Sequence, residues 1–162
     1  GKALESYEWG LVPAWSKKIE KFSPLINARK ETLMEKVTFK NLIQTSRCVV
    51  VADGYYEWAK EEKGKVPYYF TKEDDEIMFF AAIHQNNQFC IITREARENI
   101  SNIHHREPLI MKQSEINNYL NIKKDALETL NAIKPPELKF HEISKNVNNP
   151  ENNDPALIKP IN

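Results

Sequence analysis

Apolar residues in this chain fall mostly into short runs bounded by turn signals, the pattern of strands rather than of long amphipathic helices. The clearest run is Cys48 to Val51, which leads through Ala52, Asp53 and Gly54 into Tyr55, Tyr56, Glu57 and Trp58. A short β-branched run closed by a turn reads as a strand buried on both faces. Asp-Gly suits a tight turn, because glycine accepts positive φ and aspartate bonds its own backbone. The chain is expected to reverse there and re-emerge as a strand carrying Glu57. Upstream, Ser6 to Val12 reads as a strand with Trp9 in the core, followed by Pro13 and a surface Trp15. Ser16 to Ser23 is a Lys-rich loop, after which Leu25 and Ile26 return to the core and lead into Asn27, Ala28 and Arg29. Glu31 to Lys36 reads as a short helix. Thr38 is placed to cap a second helix, Phe39 to Thr45, whose Phe39, Leu42 and Ile43 share a face.

Downstream, Pro67 to Thr71 and Ile77 to Ile83 read as a hairpin around the acidic turn Lys72 to Glu76. Gln88 to Thr93 is a further strand after a turn at Gln85 to Asn87, and a helical turn follows through about Ile100. Ile103 to Met111 is a loop feeding an apolar segment. Glu115 to Leu120 and Asp125 to Ile133 read as surface helices, the second stopped by Pro135 and Pro136. Leu138 to Ser144 reads as a strand whose alternation slips at Glu142, the sign of a bulge, and Leu157 to Ile161 as an edge strand. The expected class is α+β, with a mostly antiparallel, barrel-like sheet and peripheral helices.

Length and composition fit one domain over residues 1–162 with a real core. The formal net charge is zero, so any nucleic-acid site has to be a local patch. Cys48 and Cys90 both lie in apolar runs and read as small core residues, not as a disulfide framework. That usage, together with the lack of a signal peptide or membrane-length apolar run, points to an intracellular protein.

Four spots carry potential chemistry. Glu57, between aromatic residues at the end of a core strand, is expected to be partly desolvated and suited to proton transfer. Its plainer reading is a strand-end carboxylate paired with a lysine. His104 and His105 are acid/base candidates, although adjacent loop histidines are more often solvated. Arg29 and Arg106 suit phosphates or surface ion pairs, and Asn27 suits a cleft or a backbone turn. Trp15 and Trp58 suit stacking on bases or simple core packing. With only His84 and His141 besides, and no carboxylate or cysteine cluster at ligand spacing, no metal site or cofactor is expected.

Taken in order, the runs WGLVPAW (Trp9 to Trp15), INAR-x-ET (Ile26 to Thr32), RCVVVADGYYEW (Arg47 to Trp58), IIT followed by EA around Thr93, IHHREP (Ile103 to Pro108) and EIS with V-N (Glu142 to Asn148) resemble one family. It is the SRAP family, the SOS-response-associated peptidase domain proteins, and the likeness covers nearly the whole chain. The resemblance implies a protein that binds single-stranded DNA and forms a covalent crosslink to abasic sites. An amino-terminal cysteine would form a Schiff base with the open-chain sugar aldehyde and close a thiazolidine. Family members are also named for an autoproteolytic peptidase step that exposes this cysteine. A peptidase with DNA secondary, and a non-covalent single-strand-binding module, are the alternatives. A monomer with abasic single-stranded DNA as partner, and no membrane, is expected.

Residue by residue, the resemblance makes Asn27, Glu57 and His104 catalytic. Asn27 would hold the terminal cysteine, Glu57 would orient or deprotonate it, and His104 would help open the abasic sugar. The three are expected to converge on one concave site. The resemblance gives DNA contacts to Arg29 and Arg106 at phosphates, to Trp15 and Trp58 beside the groove, and to Thr93 near the site. His105 falls at a variable position and takes no role, and Glu107 stands where relatives usually carry Met. Family members begin Met-Cys-Gly-Arg well upstream of the WGLVP motif, whereas this sequence starts at Gly1. The expectation is therefore an SRAP-like domain lacking its amino-terminal segment, part of its sheet and the nucleophile, and inactive by itself.

Overall fold

The computed structural model of the chain describes residues 3–161, so Gly1, where the sequence starts, lies outside the described residues. Among the described residues the short apolar runs become ten strands: β1 (Glu8–Trp9), β2 (Asn27–Arg29), β3 (Arg47–Ala52), β4 (Tyr55–Glu61), β5 (Gly64–Lys72), β6 (Met78–Gln85), β7 (Gln88–Glu95), β8 (Arg106–Pro108), β9 (Ile110–Met111) and β10 (Leu138–Glu142). Four short helices join them: α1 (Val37–Thr45), α2 (Glu98–Ser101), α3 (Ile116–Leu120) and α4 (Ala126–Ala132). The class is α+β with mostly antiparallel pairing, as expected. The barrel is not: the strands form two separate open sheets. The cause is the hairpin of β4 with β5, in register from Tyr55 opposite Phe70 to Glu61 opposite Gly64. It takes β5 out of the expected pairing with β6, which pairs with β7 and β9 instead.

Two compact units are distinguished. The first comprises Gly1–Val50, Phe79–Arg94 and Pro108–Pro135. Its sheet is centred on the β6–β7 hairpin, which turns at Asn86 and Asn87 with φ of 52° and 59°. Two positive φ angles in succession match the right-handed twist of the flanking strands, and asparagine tolerates them. β1 and β2 both run parallel to β7. The core gathers Leu11, Ile43, Ile83, Ile92, Met111, Tyr119 and Leu130, with the predicted face of α1 (Phe39, Leu42, Ile43) buried in it.

Several local expectations change in this unit. Trp9 is 55% exposed and not core, because β1 is only two residues long; its ring stacks on Phe89. Glu31 to Glu35 forms successive turns and Lys36 a bend, in place of the expected helix. Thr38 does not cap α1, since its hydroxyl instead accepts the Trp15 indole N–H at 3.0 Å. β3 is half-buried along most of its length and exposes Val51, so it is not covered on both faces. The buried Arg47 guanidinium donates to the carbonyls of Ile43, Tyr119, Asn121 and Lys124, tying the end of α1 to the segment between α3 and α4.

The second unit comprises Val51–Met78, Glu95–Glu107 and Pro136–Asn162, with a three-stranded antiparallel sheet in the order β10–β5–β4. Side chains alternate across it. One face carries Tyr55, Phe70 and Phe140, with ring centroids 4.7 Å and 5.0 Å apart. The other carries Tyr56, Tyr69 and His141, at 5.5 Å and 5.9 Å. The register of β10 runs unbroken to Glu142 opposite Tyr68, so no bulge forms there. Leu157 to Ile161 holds part of a 3-10 turn, Pro155–Ile158, and a single bridge from Pro160 to Ile143, in place of an edge strand. Among the described residues no helix is long and apolar enough to cross a membrane.

Candidate functional site

Glu57 lies in the middle of β4, opposite Tyr68 on β5. Neighbours along a strand point to opposite faces, so Tyr56 and Trp58 do not flank the carboxylate; their rings meet each other at 6.5 Å on the far face. The expected shielding of Glu57 by those two rings is therefore absent. Tyr55 and Ala59 are its neighbours along its own face, and its side chain is 28% exposed. One carboxylate oxygen, Oε1, accepts the Trp58 backbone N–H at 3.1 Å. The other, Oε2, faces Nδ1 of His104 at 3.8 Å.

The loop that brings His104 to Glu57 is closed at its neck. The Ala96 N–H donates to the His105 carbonyl at 2.9 Å, and the His104 N–H reaches back to the Ile100 carbonyl at the end of α2. The His104 ring is held by the main chain of Arg106. The Arg106 N–H and C=O both lie 3.2 Å from Nδ1, so this nitrogen has a partner whether it accepts or donates. His105 stacks against His104 with ring centroids 4.6 Å apart.

Beneath the loop, Glu107 is fully buried. Its Oε1 accepts the Arg97 Nε–H and its Oε2 the Arg97 backbone N–H, each at 3.1 Å. The phenol of Tyr55 is pushed well up, first by burial and then by the charges of Glu107 and Glu57. Tyr55 thus stays neutral beside the two carboxylates. Nothing in the composition pointed to the Glu107–Arg97 pair. Its signal was a glutamate just ahead of the apolar run Leu109 to Met111, at a position where the resemblance led to the expectation of a methionine.

The remaining predicted residues divide between the units. Trp58 is in the second, its indole N–H donating to Asn148 Oδ1 at 2.7 Å. Asn148, in the EIS–V-N run, thereby acquires a contact that the sequence reading did not assign. Arg106 begins β8 in the same unit. In the first unit, Asn27 and Arg29 are the exposed residues of β2 on either side of buried Ala28, which puts both on one face. Arg29 pairs in register with Thr93 on β7, and Thr93 is buried. Trp15 is 54% exposed, with Phe22 against it edge-on.

The thiols of Cys48 and Cys90 are both pushed up to about 12 by burial, so neither is a thiolate near neutral pH. Among the described residues no group of His, Cys, Asp and Glu is placed to hold a metal ion. A pocket of about 320 Å³ is lined by Lys72, Glu73, Asp74, Pro136 and Glu137. It contains none of the predicted site residues, and its mostly acidic wall is unsuited to phosphate. Glu57 and His104, by contrast, are brought side by side. At 3.8 Å they are beyond direct hydrogen-bond length, yet close enough to handle the same proton once a reacting group lies between or beside them.

Residues 1–150 match the family model described as SOS response associated peptidase (SRAP). The chain is 31% identical to the abasic site processing protein YoqW of Bacillus subtilis, over 96% of this chain and 76% of the relative. It is equally 31% identical to the abasic site processing protein YedK of Escherichia coli, over 98% of this chain and 75% of the relative. A crystal structure of a Bacteroides thetaiotaomicron protein superimposes with a TM-score of 0.81 at 29% identity, covering 94% of this chain and 74% of the other.

Proposed function

The chain belongs to the SRAP family, and on that premise we propose that it processes abasic sites in DNA. The observation that carries the proposal is the meeting of Glu57 and His104, the motif glutamate and histidine, at 3.8 Å. A carboxylate and an imidazole so placed suit a reaction made of successive proton transfers. Opening the abasic sugar to its aldehyde requires a proton to leave one oxygen and reach another, a task for His104. An amine then attacks the aldehyde carbon, losing water to give a Schiff base, and a thiol adds to that carbon to close a thiazolidine. A base is needed to keep the amine uncharged, since an α-amino group has a pKa of about 7.7 to 8.0. Glu57 takes that role.

The nucleophile of this scheme is an amino-terminal cysteine, with amine and thiol on one residue. Cys48 and Cys90 do not supply it, being in strands with their thiols held protonated. Asn27 would hold the cysteine. Arg29 and Arg106 would contact phosphates of single-stranded DNA, with Trp15, Trp58 and Thr93 beside it.

The test is incubation of protein bearing an amino-terminal cysteine with a single-stranded oligonucleotide containing one abasic site. A protein–DNA band that survives denaturation supports the proposal. Binding without such a band would make the protein a non-covalent single-strand binder. Self-cleavage without it would make the protein a thiol-dependent peptidase.

A further inference from the structure

We infer that the buried Glu107–Arg97 pair is a positioning device for His104, acting through the main chain of Arg106. Its use in catalysis rests on the role proposed above for His104; the positioning itself does not. Glu107 is 1% exposed, and its carboxylate takes two N–H groups of one residue: Oε1 accepts the Arg97 Nε–H at 3.1 Å, and Oε2 accepts the Arg97 backbone N–H at 3.1 Å with the Nε–H also at 3.4 Å. Arg97 immediately precedes α2, and Glu107 immediately follows Arg106. One carboxylate therefore joins the two ends of the loop that carries His104, alongside the Ala96 to His105 hydrogen bond.

The geometry passes directly to the imidazole. The Arg106 carbonyl belongs to the peptide that continues into Glu107, and both it and the Arg106 N–H lie 3.2 Å from His104 Nδ1. Holding Glu107 fixes the plane of that peptide, and hence the acceptor that Nδ1 meets, while the Arg106 N–H lies in the preceding peptide, whose His105 carbonyl is held by the Ala96 N–H. A buried ion pair contributes little net stability, because desolvation offsets the attraction. An apolar side chain of similar length would fill the space as well. What the ion pair adds is direction: the carboxylate is held at once by the backbone N–H and the side-chain Nε–H of Arg97, which ties its orientation to that of the loop's other end.

The test uses the 162-residue chain, labelled with 13C and 15N. Three-bond couplings about the Cα–Cβ bond read the rotamer populations of each histidine. Because Nδ1 meets a main-chain partner whether it accepts or donates, the wild-type His104 should favour one rotamer over its population in the urea-unfolded chain by about threefold or more, the scale of one net hydrogen bond. Glu107→Gln keeps the shape but offers only one acceptor oxygen, and should return His104 to the unfolded-chain populations. His84 and His141 should keep theirs. The double variant Arg97→Met with Glu107→Met removes both charges, leaves no orphan ion, and should give the same result if Glu107→Gln does not fold. A wild-type His104 at the unfolded-chain populations would overturn the inference. So would a folded variant that retains the wild-type populations. Because the readout is the ring and not DNA, it stands or falls separately from abasic-site chemistry.

Discussion

Nδ1 of His104 lies 3.8 Å from Oε2 of Glu57, across a gap between a strand and a loop distant from it in sequence. Both side chains remain about 30% exposed, so the pair adds little to stability as an ion pair. Its partner distinguishes Glu57 from a strand-end carboxylate tied to a lysine: the neighbour is an imidazole, which offers both a donor and an acceptor nitrogen. The arrangement leaves both groups reachable from solvent, as a shared substrate requires.

Phosphate contact is tested at Arg106. Arg106→Ala should weaken single-stranded DNA binding similarly across sequences, because a backbone contact reads no base. The salt slope should fall by about 1. Fluorescence anisotropy titrations at several salt concentrations measure both, and unchanged affinity would remove Arg106 from the DNA contact.

The two cysteines should be inert in the folded protein. With thiols pushed up to about 12, alkylation near neutral pH should be slow and should rise steadily through pH 10 without a plateau. The linkage has a definite sign. The folded state holds these protons while the unfolded chain releases them from about 9, so this contribution to stability is intact below 9 and is lost as pH rises towards 12. Mass spectrometry after timed alkylation checks the first point; rapid modification of native protein would contradict it.

Arg47 supports the first unit from inside. Arg47→Met removes donors to four carbonyls and should destabilise by about 3 kcal/mol or more, since buried acceptors are left without partners. Urea unfolding followed by circular dichroism measures it. A loss below about 1 kcal/mol would mean that water replaces the guanidinium.

Gly54 is required for space, not for backbone freedom. A Cβ there would collide with the Tyr69 ring, which is buried between Tyr56 and His141. Gly54→Ala should therefore cost about 1–3 kcal/mol by overpacking. Thermal unfolding reads it, and Tyr69→Ala in the same background should relieve part of the clash.

The strand-rich class, the buried face of α1 and the motif residues Glu57 and His104 were legible because periodicity and local motifs carry them. The pairing of β5 was not. A short apolar run says nothing about its partner, and the turn that decides it, Glu62 to Gly64, shows only one glycine among charges, with φ of 109°. Trp9 reads as core by composition, yet an edge strand of two residues leaves it half-covered. That Tyr56 and Trp58 lie on the face opposite Glu57 follows from strand alternation, and is where the sequence expectation of a shielded carboxylate fails. Arg47 and the Glu107–Arg97 pair left no periodic trace, because a buried charge is specified by partners remote in sequence.

The central claim, that Glu57 and His104 act on the abasic sugar, is tested most directly by single-turnover crosslinking. The protein carries an amino-terminal cysteine, the substrate is abasic single-stranded DNA, and affinity is measured in parallel. Glu57→Gln should slow crosslinking by roughly 10² to 10⁴, the range for loss of a general base, with DNA affinity little changed. His104→Ala should slow it on the closed sugar and much less on a substrate already in the aldehyde form. A wild-type rate for Glu57→Gln would contradict the account and return Glu57 to the status of a strand residue beside a histidine.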